Sequence, residues 1–580
     1  MIDRTASTLR LVVVAAGLSA AALTSTCGGP AGDRRPIPDL ILHNGHVVTV
    51  DDAFSSAEAV AIADGRFIAV GTSASVVALA GPETRSIDLE GRTVIPGLAD
   101  DHFHDAGGGP GVDLSRSRSM ADVLEAIARR VAETPAGEVI VTNSDWHEAQ
   151  LTEQRLPLRR DLDTVSPDHP VVVVRGGHEY ILNSAALARW SIDTQTSVPP
   201  GGRMSRYPDG ELDGELVDAA KRFVTLPVAT DRSPDEQLAD LAAEHATLHA
   251  AGLTTLRLAG ISPERYRLLQ EARRRGGLTM RLNVLLRPDV RSAPDDVLAT
   301  VDGWGIVQDE GDDWLRVGGV KLGVDGGFEG GWMREPYAAP FDQGGTFFGL
   351  QTMPSDRYIA IVRALNARGW RVATHAVGDA AIDLVLEAYE AAEAERSIVG
   401  RRWSLEHGFI VGDDQFPRMK ALDLVISAQD HLYLAGPSLV TYWGPERAAR
   451  TTPVRSYLEH GLVVAGGTDS AVVPYPPLWA LYHFVTRDTI TGGVFGLEQG
   501  VTREEALRMM TTSNAHLTFE ESTKGSIEPG KLGDLVVLSD DLLTCSAAEL
   551  EHVQVLLTVV GGRIVYRADA FGDGGTHGAN

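Results

Sequence analysis

The sequence predicts an α/β protein: a (β/α)8 barrel of the TIM-barrel type, with a small β-sandwich domain built from both chain ends. Three observations lead there. The middle of the 580-residue chain alternates eight short apolar runs with helical patterns, the signature of a parallel sheet. Both ends instead show period-two apolar spacing punctuated by Gly and Pro. The eight middle runs close on a narrow set of polar side chains, histidine, lysine and aspartate, and such a barrel carries its chemistry at the C-terminal ends of its strands.

Taken in order, residues 1–27 read as a leader. Arg4 and Arg10 precede an apolar run from Leu11 to Leu23, and Cys27 follows with Gly28 and Gly29. The run is short for a membrane span and has the layout of a secretory signal. The Cys-Gly-Gly resembles a bacterial lipoprotein processing site, although Thr24 and Thr26 depart from its usual pattern. The expectation is export to the cell envelope, with a lipid anchor at Cys27 or as a periplasmic protein after cleavage near Ala22 or Thr26. A lipidated Cys27 could not pair with Cys545, the only other cysteine, so no disulfide is expected.

After a Pro-rich link, "LILHNGHVVTV", "AVAIADGRFIAVG" and "RSIDLEGRTVIPG" read as half-buried strands, as do "GSIEPGKLGDLVVLSD" and "VQVLLTVVGGRIVYR" near the other end. Residues 38–92 and 522–568 are therefore assigned to one composite β domain, and 93–521 to the barrel. Its strands are read in "VIPGLADDHFH", "LTTLRLAG", "TMRLNVLL", "RVGGVKLGVDG", "WRVATHAVG", "WSLEHGFIV", "LVISAQDHL" and "LVVAGGTDS". Between the fourth and fifth, Tyr358, Ile361, Val362 and Leu365 have helical spacing, with Ser355 as the expected cap and Gly369 as the stop. Residues 110–250 form an insertion with strands of its own, in "VIVTNSDWHE" and "PVVVVRGGHEYILNS".

Composition narrows the partner. A hydrophobic content of 43% supports a large core, and a formal net charge of -27 repels nucleic acid and anionic membrane surfaces. A small-molecule substrate remains. The strand ends supply His102 and His104, Lys321, His375, His407 and Asp469, with Gln429 and His431 closing the seventh run. Alternation along a strand turns His102 and His104 to one side, so both can reach one ion. Imidazole and carboxylate together suit a divalent metal such as zinc, with one position left open for water. Any one of these histidines alone reads more readily as a hydrogen-bonded core or rim residue; five candidates falling at the ends of four barrel strands point to a shared site.

"VIPGLADDHFH", "THAVGD", "LEHG", "GGTDS" and the closing "KGSIEPGKLGDLVVL" resemble the metal-dependent amidohydrolase superfamily. "RGGHEYILNSAAL", "PPGGRMSRYPDGELDGEL", "GLTTLRLAG" and "VKLGVDGG" are similar to its YtcJ-like branch, which includes N-substituted formamide deformylase. The resemblance spans about residues 38 to 568. It implies that His102, His104, His375, His407 and Asp469 are metal ligands for one or two ions. It also implies that Lys321 stands where many members carry a carboxylated lysine bridging two metals. An unmodified Lys321 paired with Asp325 or Asp469 beside one metal is the competing reading. Asp101 before His102, and "VDGGFEGG" where relatives often show serine and leucine, are departures that bear on substrate shape.

The chemistry so implied is hydrolysis of a non-peptide C–N bond, amide-type, by metal-activated water. Asp469 would accept the water's proton and deliver it to the leaving nitrogen, and His407 would ligate or polarise the carbonyl. Glu406 is a candidate to orient a histidine; Asp379 reads as a helix-start carboxylate. For substrate binding the candidates are His178, Asn183 and Trp332, with Trp146 and Tyr337 as pocket aromatics. The alternative roles are a turn for His178, a helix cap for Asn183 before "SAALARW", and ordinary packing for the aromatics. Three other functions stay open: mononuclear deamination, esterase or lactonase chemistry on the same scaffold, and a non-catalytic binding lipoprotein. Oligomeric state is not legible.

Overall fold

A computed structural model describes residues 36–571 except 106–107, 110, 228–231, 339–342 and 473–475. The leader and Cys27 lie outside the described residues.

Eight strands follow one another around a barrel: β1 (Leu98–Phe103), β2 (Leu253–Ile261), β3 (Arg281–Leu286), β4 (Leu315–Gly323), β5 (Val372–Ala376), β6 (Ser404–His407), β7 (Val425–Gln429) and β8 (Val463–Gly467). All seven ladders between neighbours are parallel. These are the runs read from the sequence, and they are apolar along much of their length because helices cover the outside while side chains fill the inside. Two ends differ from the reading. Thr93–Pro96 pairs in the small β domain rather than the barrel, so β1 starts only after Gly97. β6 stops at His407, whose φ of 72° turns the chain out of the strand.

The seam between β8 and β1 is closed by side-chain and loop contacts. The Asp100 carboxylate accepts from Thr468 N at 3.1 Å and from Thr468 Oγ1 at 2.6 Å, and Asp469 N donates to His102 O at 2.8 Å. Gly467 permits this approach, since a Cβ there would stand 2.4 Å from Asp101 Oδ1 and 2.5 Å from Asp100 Oδ1.

The helix predicted after β4 spans Ser355–Ala367 and buries Tyr358, Ile361, Val362 and Leu365. Its cap position is Pro354; Ser355 is the first helical residue and its hydroxyl accepts from Gln351. Helix Pro234–Ala250, at the end of the stretch read as insertion, buries Leu241 and Leu248 in the barrel's own core.

Two further sheets come from the chain ends. One has four N-terminal strands, Arg66–Gly71, Ala59–Ala63, Leu40–His43 and Arg85–Asp88. The other joins Thr93–Pro96, His46–Val48 and Ser56–Ala57 from one end to Leu535–Leu538, Val555–Val560 and Arg563–Arg567 from the other. Strand Leu535–Leu538 shows why both its faces are apolar: Leu535 and Val537 pack between the two sheets, while Val536 and Leu538 pack onto the barrel core.

The insertion folds as a five-stranded sheet that includes Ile140–Val141, Val171–Arg175, Glu179–Leu182 and Leu212–Asp218. Arg175 pairs with Glu179 across a tight turn. That turn, Gly176-Gly177-His178, lines the cavity at the barrel mouth.

Candidate active site

At the C-terminal ends of β1, β6 and β8, His102, His407 and Asp469 offer ligand atoms within 4.8 Å of one another, all buried. Strand alternation brings His104 to the same side: its Nε2 lies 3.1 Å from Asp469 Oδ1, and His102 Nε2 lies 3.6 Å from the same oxygen. From the loop after β7, His431 Nε2 reaches Asp469 Oδ2 at 3.2 Å. The His375 ring on β5 stands 4.4 Å from that of His407. Both His407 and Asp469 have positive φ, 72° and 58°, a conformation side chains other than glycine seldom adopt. Such strain at strand ends marks a place where orientation is held by its surroundings.

Neighbouring groups fix the tautomers. Glu406 accepts from His102 Nδ1 at 2.6 Å and is itself held by Arg257 at 3.0 Å. Burial alone would raise the Glu406 carboxyl, yet Arg257 and His102 keep it well below the usual range. It therefore stays anionic and leaves the His102 Nε2 lone pair facing the cluster. Gln429 accepts from His407 Nδ1 at 2.7 Å and donates to Ser427 Oγ, which does the same for His407. Burial, with Lys321 nearby, pushes His102 down to about 4; burial, with neighbouring imidazoles, pushes His375 and His407 well below their ordinary value. Burial would raise Asp469, but His102, His104 and His431 hold it well below the carboxylate range. The neutral imidazoles of His102, His375 and His407 thus flank an ionised carboxylate.

This arrangement fits a cation. Asp469 Oδ1 and both ring nitrogens of His431 are buried without a well-directed hydrogen bond, and buried polar atoms are seldom left so unless something else satisfies them. Lys321 is buried on β4 with its Nζ 3.0 Å from His102 Nε2, and burial lowers it to about 8. It forms no ion pair with Asp325 or Asp469 among the described residues, so the pairing proposed for an unmodified lysine is absent. The Asp325 carboxylate instead accepts from the backbone of Trp332, Val377 and Gly378.

The cavity above the cluster has two halves that meet at His178, His375, His407 and Asp469. One is a narrow apolar slot walled by Trp146, Phe328, Phe409, Leu434 and Val472. His147 Nδ1 accepts from Ala149 N, leaving its buried Nε2 as a polar atom without a partner in that wall. The other half is wider and polar and includes Lys221, Arg287, Lys321 and Asp218. His178 stacks on His375 with ring centres 5.2 Å apart and donates from Nδ1 to Asp218 Oδ1 at 2.6 Å. Burial would depress His178, but Asp218 outweighs it and the ring's pKa rises.

Several expectations are corrected here. Asn183 does not touch the cavity: its carboxamide accepts from Val171 N and Ala186 N, capping helix Ser184–Arg189, and donates to Ser166 O and His169 O. All of its hydrogen-bonding capacity is spent on the insertion's own fold. Trp332 packs against the barrel core and Tyr337 donates to Phe328 O and Gly331 O; neither lines the cavity. Asp379 opens helix Asp379–Glu395 and accepts from Arg334 N, as a helix-start carboxylate does. Sequence reasoning missed Asp218, His147, Arg287, Phe328 and Phe409. Only Arg287, immediately after a strand end, carried a positional signal.

Fold and donor set together define a metal-dependent hydrolase of the barrel class. A model of the amidohydrolase family matches residues 85–566. The N-substituted formamide deformylase of Arthrobacter pascens is 32% identical, over 91% of this chain and 98% of its own length. The putative amidohydrolase YtcJ of Bacillus subtilis (strain 168) is 26% identical over 91% and 99%. An uncharacterized metal-dependent hydrolase from Pyrococcus furiosus superposes with a TM-score of 0.62 at 25% identity, covering 87% of this chain and all of that one. This chain belongs to the amidohydrolase family, and it is a metal-dependent hydrolase acting on carbon–nitrogen bonds other than peptide bonds.

Proposed function

We propose that the protein hydrolyses the amide bond of a small N-acyl compound, with N-substituted formamides as the first class to test, to a carboxylate and an amine. One observation carries the reading: His102, His407 and Asp469, from three separate strands, bring donor atoms within 4.8 Å of one another at the floor of the cavity. The similarity to a deformylase over nearly its whole length supports the bond type.

His102, His407 and Asp469 would hold the ion, with His104 beside them, and imidazole with carboxylate favours zinc. A divalent cation held there would supply polarisation of the scissile carbonyl and a more acidic water. The rest falls to the chain. Asp469, kept ionised, takes a proton from the attacking water and passes it to the leaving nitrogen as the C–N bond breaks. His178, held by Asp218, donates from Nε2 to the carbonyl oxygen as charge develops on it. Phe328 and Phe409 exclude bulk water from the slot. A second ion would need Lys321 carboxylated, which would turn a cation into an anion; its burial and lowered pKa favour the neutral amine that this modification requires. We place the protein at the bacterial cell envelope, exported and either anchored through Cys27 or periplasmic.

The test is hydrolysis of N-benzylformamide by chelator-treated protein, before and after zinc is restored, with formate as the readout and Lys321 peptide mass measured without acid. Formate release that returns with the metal is expected. No turnover at any metal loading, or ammonia release from ring amines instead, overturns the proposal.

A further inference from the structure

The wide half of the cavity is lined by Arg287, Lys221 and Lys321, and by the carboxylates of Asp218, Asp325 and Asp469. Arg287, the residue directly after β3, lines it, and no carboxylate lies within ion-pair distance of that guanidinium among the described residues. Its neighbour Arg291 is different, being paired with Asp289 at 2.5 Å. Lys221 lines the same space; its ammonium donates to Gly177 O and sits 4.7 Å over the Tyr180 ring, again without a carboxylate partner. Of the acids lining this space, Asp218 is engaged by His178, Asp325 by the backbone of Trp332 and Val377, and Asp469 by His104 and His431. Burial depresses Lys221 and Lys321, and Arg287 lies close enough to both to add to that. Gly260, at the end of β2 with φ of 106°, makes the room: a Cβ there would stand 3.3 Å from both Arg287 Cδ and Lys321 Cγ.

The chain as a whole has 79 acidic against 52 basic residues. In so acidic a protein, two cations gathered in one concave site without partners are poised for an anion, because a low-dielectric cleft focuses their field. A guanidinium offers a carboxylate two parallel donors, and an ammonium adds charge with less geometric demand.

We propose that Arg287 and Lys221 form a carboxylate-binding subsite. The substrate is then an amide that carries a carboxylate on the side of the scissile bond facing β3 and β4, an N-acyl amino acid or a similar acid, with an apolar group for the slot. This rests on the amide-hydrolase reading above. The reaction balances simply: the acyl C–N bond breaks, water supplies hydroxyl to the acyl carbon and a proton to nitrogen, and the distal carboxylate is unchanged.

Two probes isolate the subsite: N-formylphenylalanine and N-(2-phenylethyl)formamide share the formamide and the phenyl group and differ by the carboxylate. The zinc-loaded enzyme is expected to favour the acid at least tenfold in kcat/KM, and Arg287→Met to cut that preference at least tenfold, chiefly through KM. Lys221→Met is expected to cut it by a smaller factor. A preference for the neutral probe, or an acid-to-neutral ratio that neither variant alters, overturns the subsite. If neither probe is cleaved at any metal loading, the amide reading falls and the subsite is judged by calorimetry on metal-free protein. Binding of 3-phenylpropionate over 3-phenylpropanamide that Arg287→Met abolishes supports it, and absent or equal binding overturns it.

Discussion

Two arginines on one strand, six positions apart, do opposite work. Arg281 opens β3 and Arg287 follows its last residue. At the entry end, Arg281 donates from Nε and Nη2 to the Asp534 carboxylate at 2.5 and 2.9 Å and from Nη1 to Asp313 O, and it lies over the Trp314 ring. All three nitrogens donate, and because Asp534 leads into strand Leu535–Leu538, the pair ties the barrel floor to the small sheet. At the exit end, Arg287 has no such partner. The same contrast holds for imidazoles. At the entry end, His249 Nδ1 donates to Leu253 O and its Nε2 is bonded to Thr279; at the exit end His431 Nδ1 has no partner among the described residues, and Nε2 meets only Asp469, without a well-directed hydrogen bond. Polar groups closed on each other hold a fold together, and those left open at a strand's C-terminal end are available for chemistry.

The sharpest way to break this comparison is at Asp469. Asp469→Asn removes the buried charge and the proton acceptor together, so activity is expected to fall by more than about a thousandfold. The melting temperature should fall only slightly by comparison, since a carboxyl held below its usual range is one whose ionised form the fold favours. A variant that loses stability in proportion to activity would place Asp469 among the structural polar groups instead.

Arg281 tests the other pole. Arg281→Met leaves Asp534 buried without its partner and should cost about 3–5 kcal/mol in denaturant unfolding, with KM for the formamide unchanged in the protein that remains folded. The double variant Arg281→Met, Asp534→Leu should recover much of that loss. A drop in stability no larger than that of Arg287→Met would show that the two ends are not energetically distinct.

An intermediate effect is expected where orientation is indirect. Glu406→Gln keeps the shape but no longer obliges His102 to hold its proton on Nδ1, so metal affinity should fall about 10- to 100-fold. Titration with a fluorescent zinc chelator reads this without turnover. Activity lost with unchanged affinity would mean that Glu406 does not act through His102.

The exit-end pattern was legible for a physical reason. A strand's two-residue period and the rule that barrels work at their C-terminal ends together place His102, His104, His375, His407 and Asp469 before any coordinates are known. What was illegible depends on three-dimensional partners. Asn183 in "ILNSAAL" reads equally as ligand-binder or cap, and only the positions of Val171 N and Ala186 N decide it. Trp332 and Phe328 sit four residues apart in one glycine-rich loop, and nothing local says that the first faces the core and the second the slot. In "RPDVR", either arginine could take Asp289; the chain turns so that Arg291 does, and Arg287 is left to the cavity.

The smallest expected effect sharpens the entry-end half of the comparison through pH. His245, on helix Pro234–Ala250, is buried, and burial together with His249 and Arg265 depresses its pKa from 6.5 to about 3. The sign follows from linkage: below 6.5 the unfolded chain takes up a proton on this ring that the folded chain refuses, so stability is lost as pH falls from about 6.5 toward 3. At pH 5.5 this ring accounts for a loss of about 1.4 kcal/mol relative to pH 8. His245→Gln should therefore lose less stability than the parent between those two pH values, by about that amount, as read from urea midpoints. The other histidines titrate in both proteins and cancel in the difference. Identical pH dependence in the two proteins would mean that His245 accepts a proton while folded, and that the entry end is wetter than its packing implies.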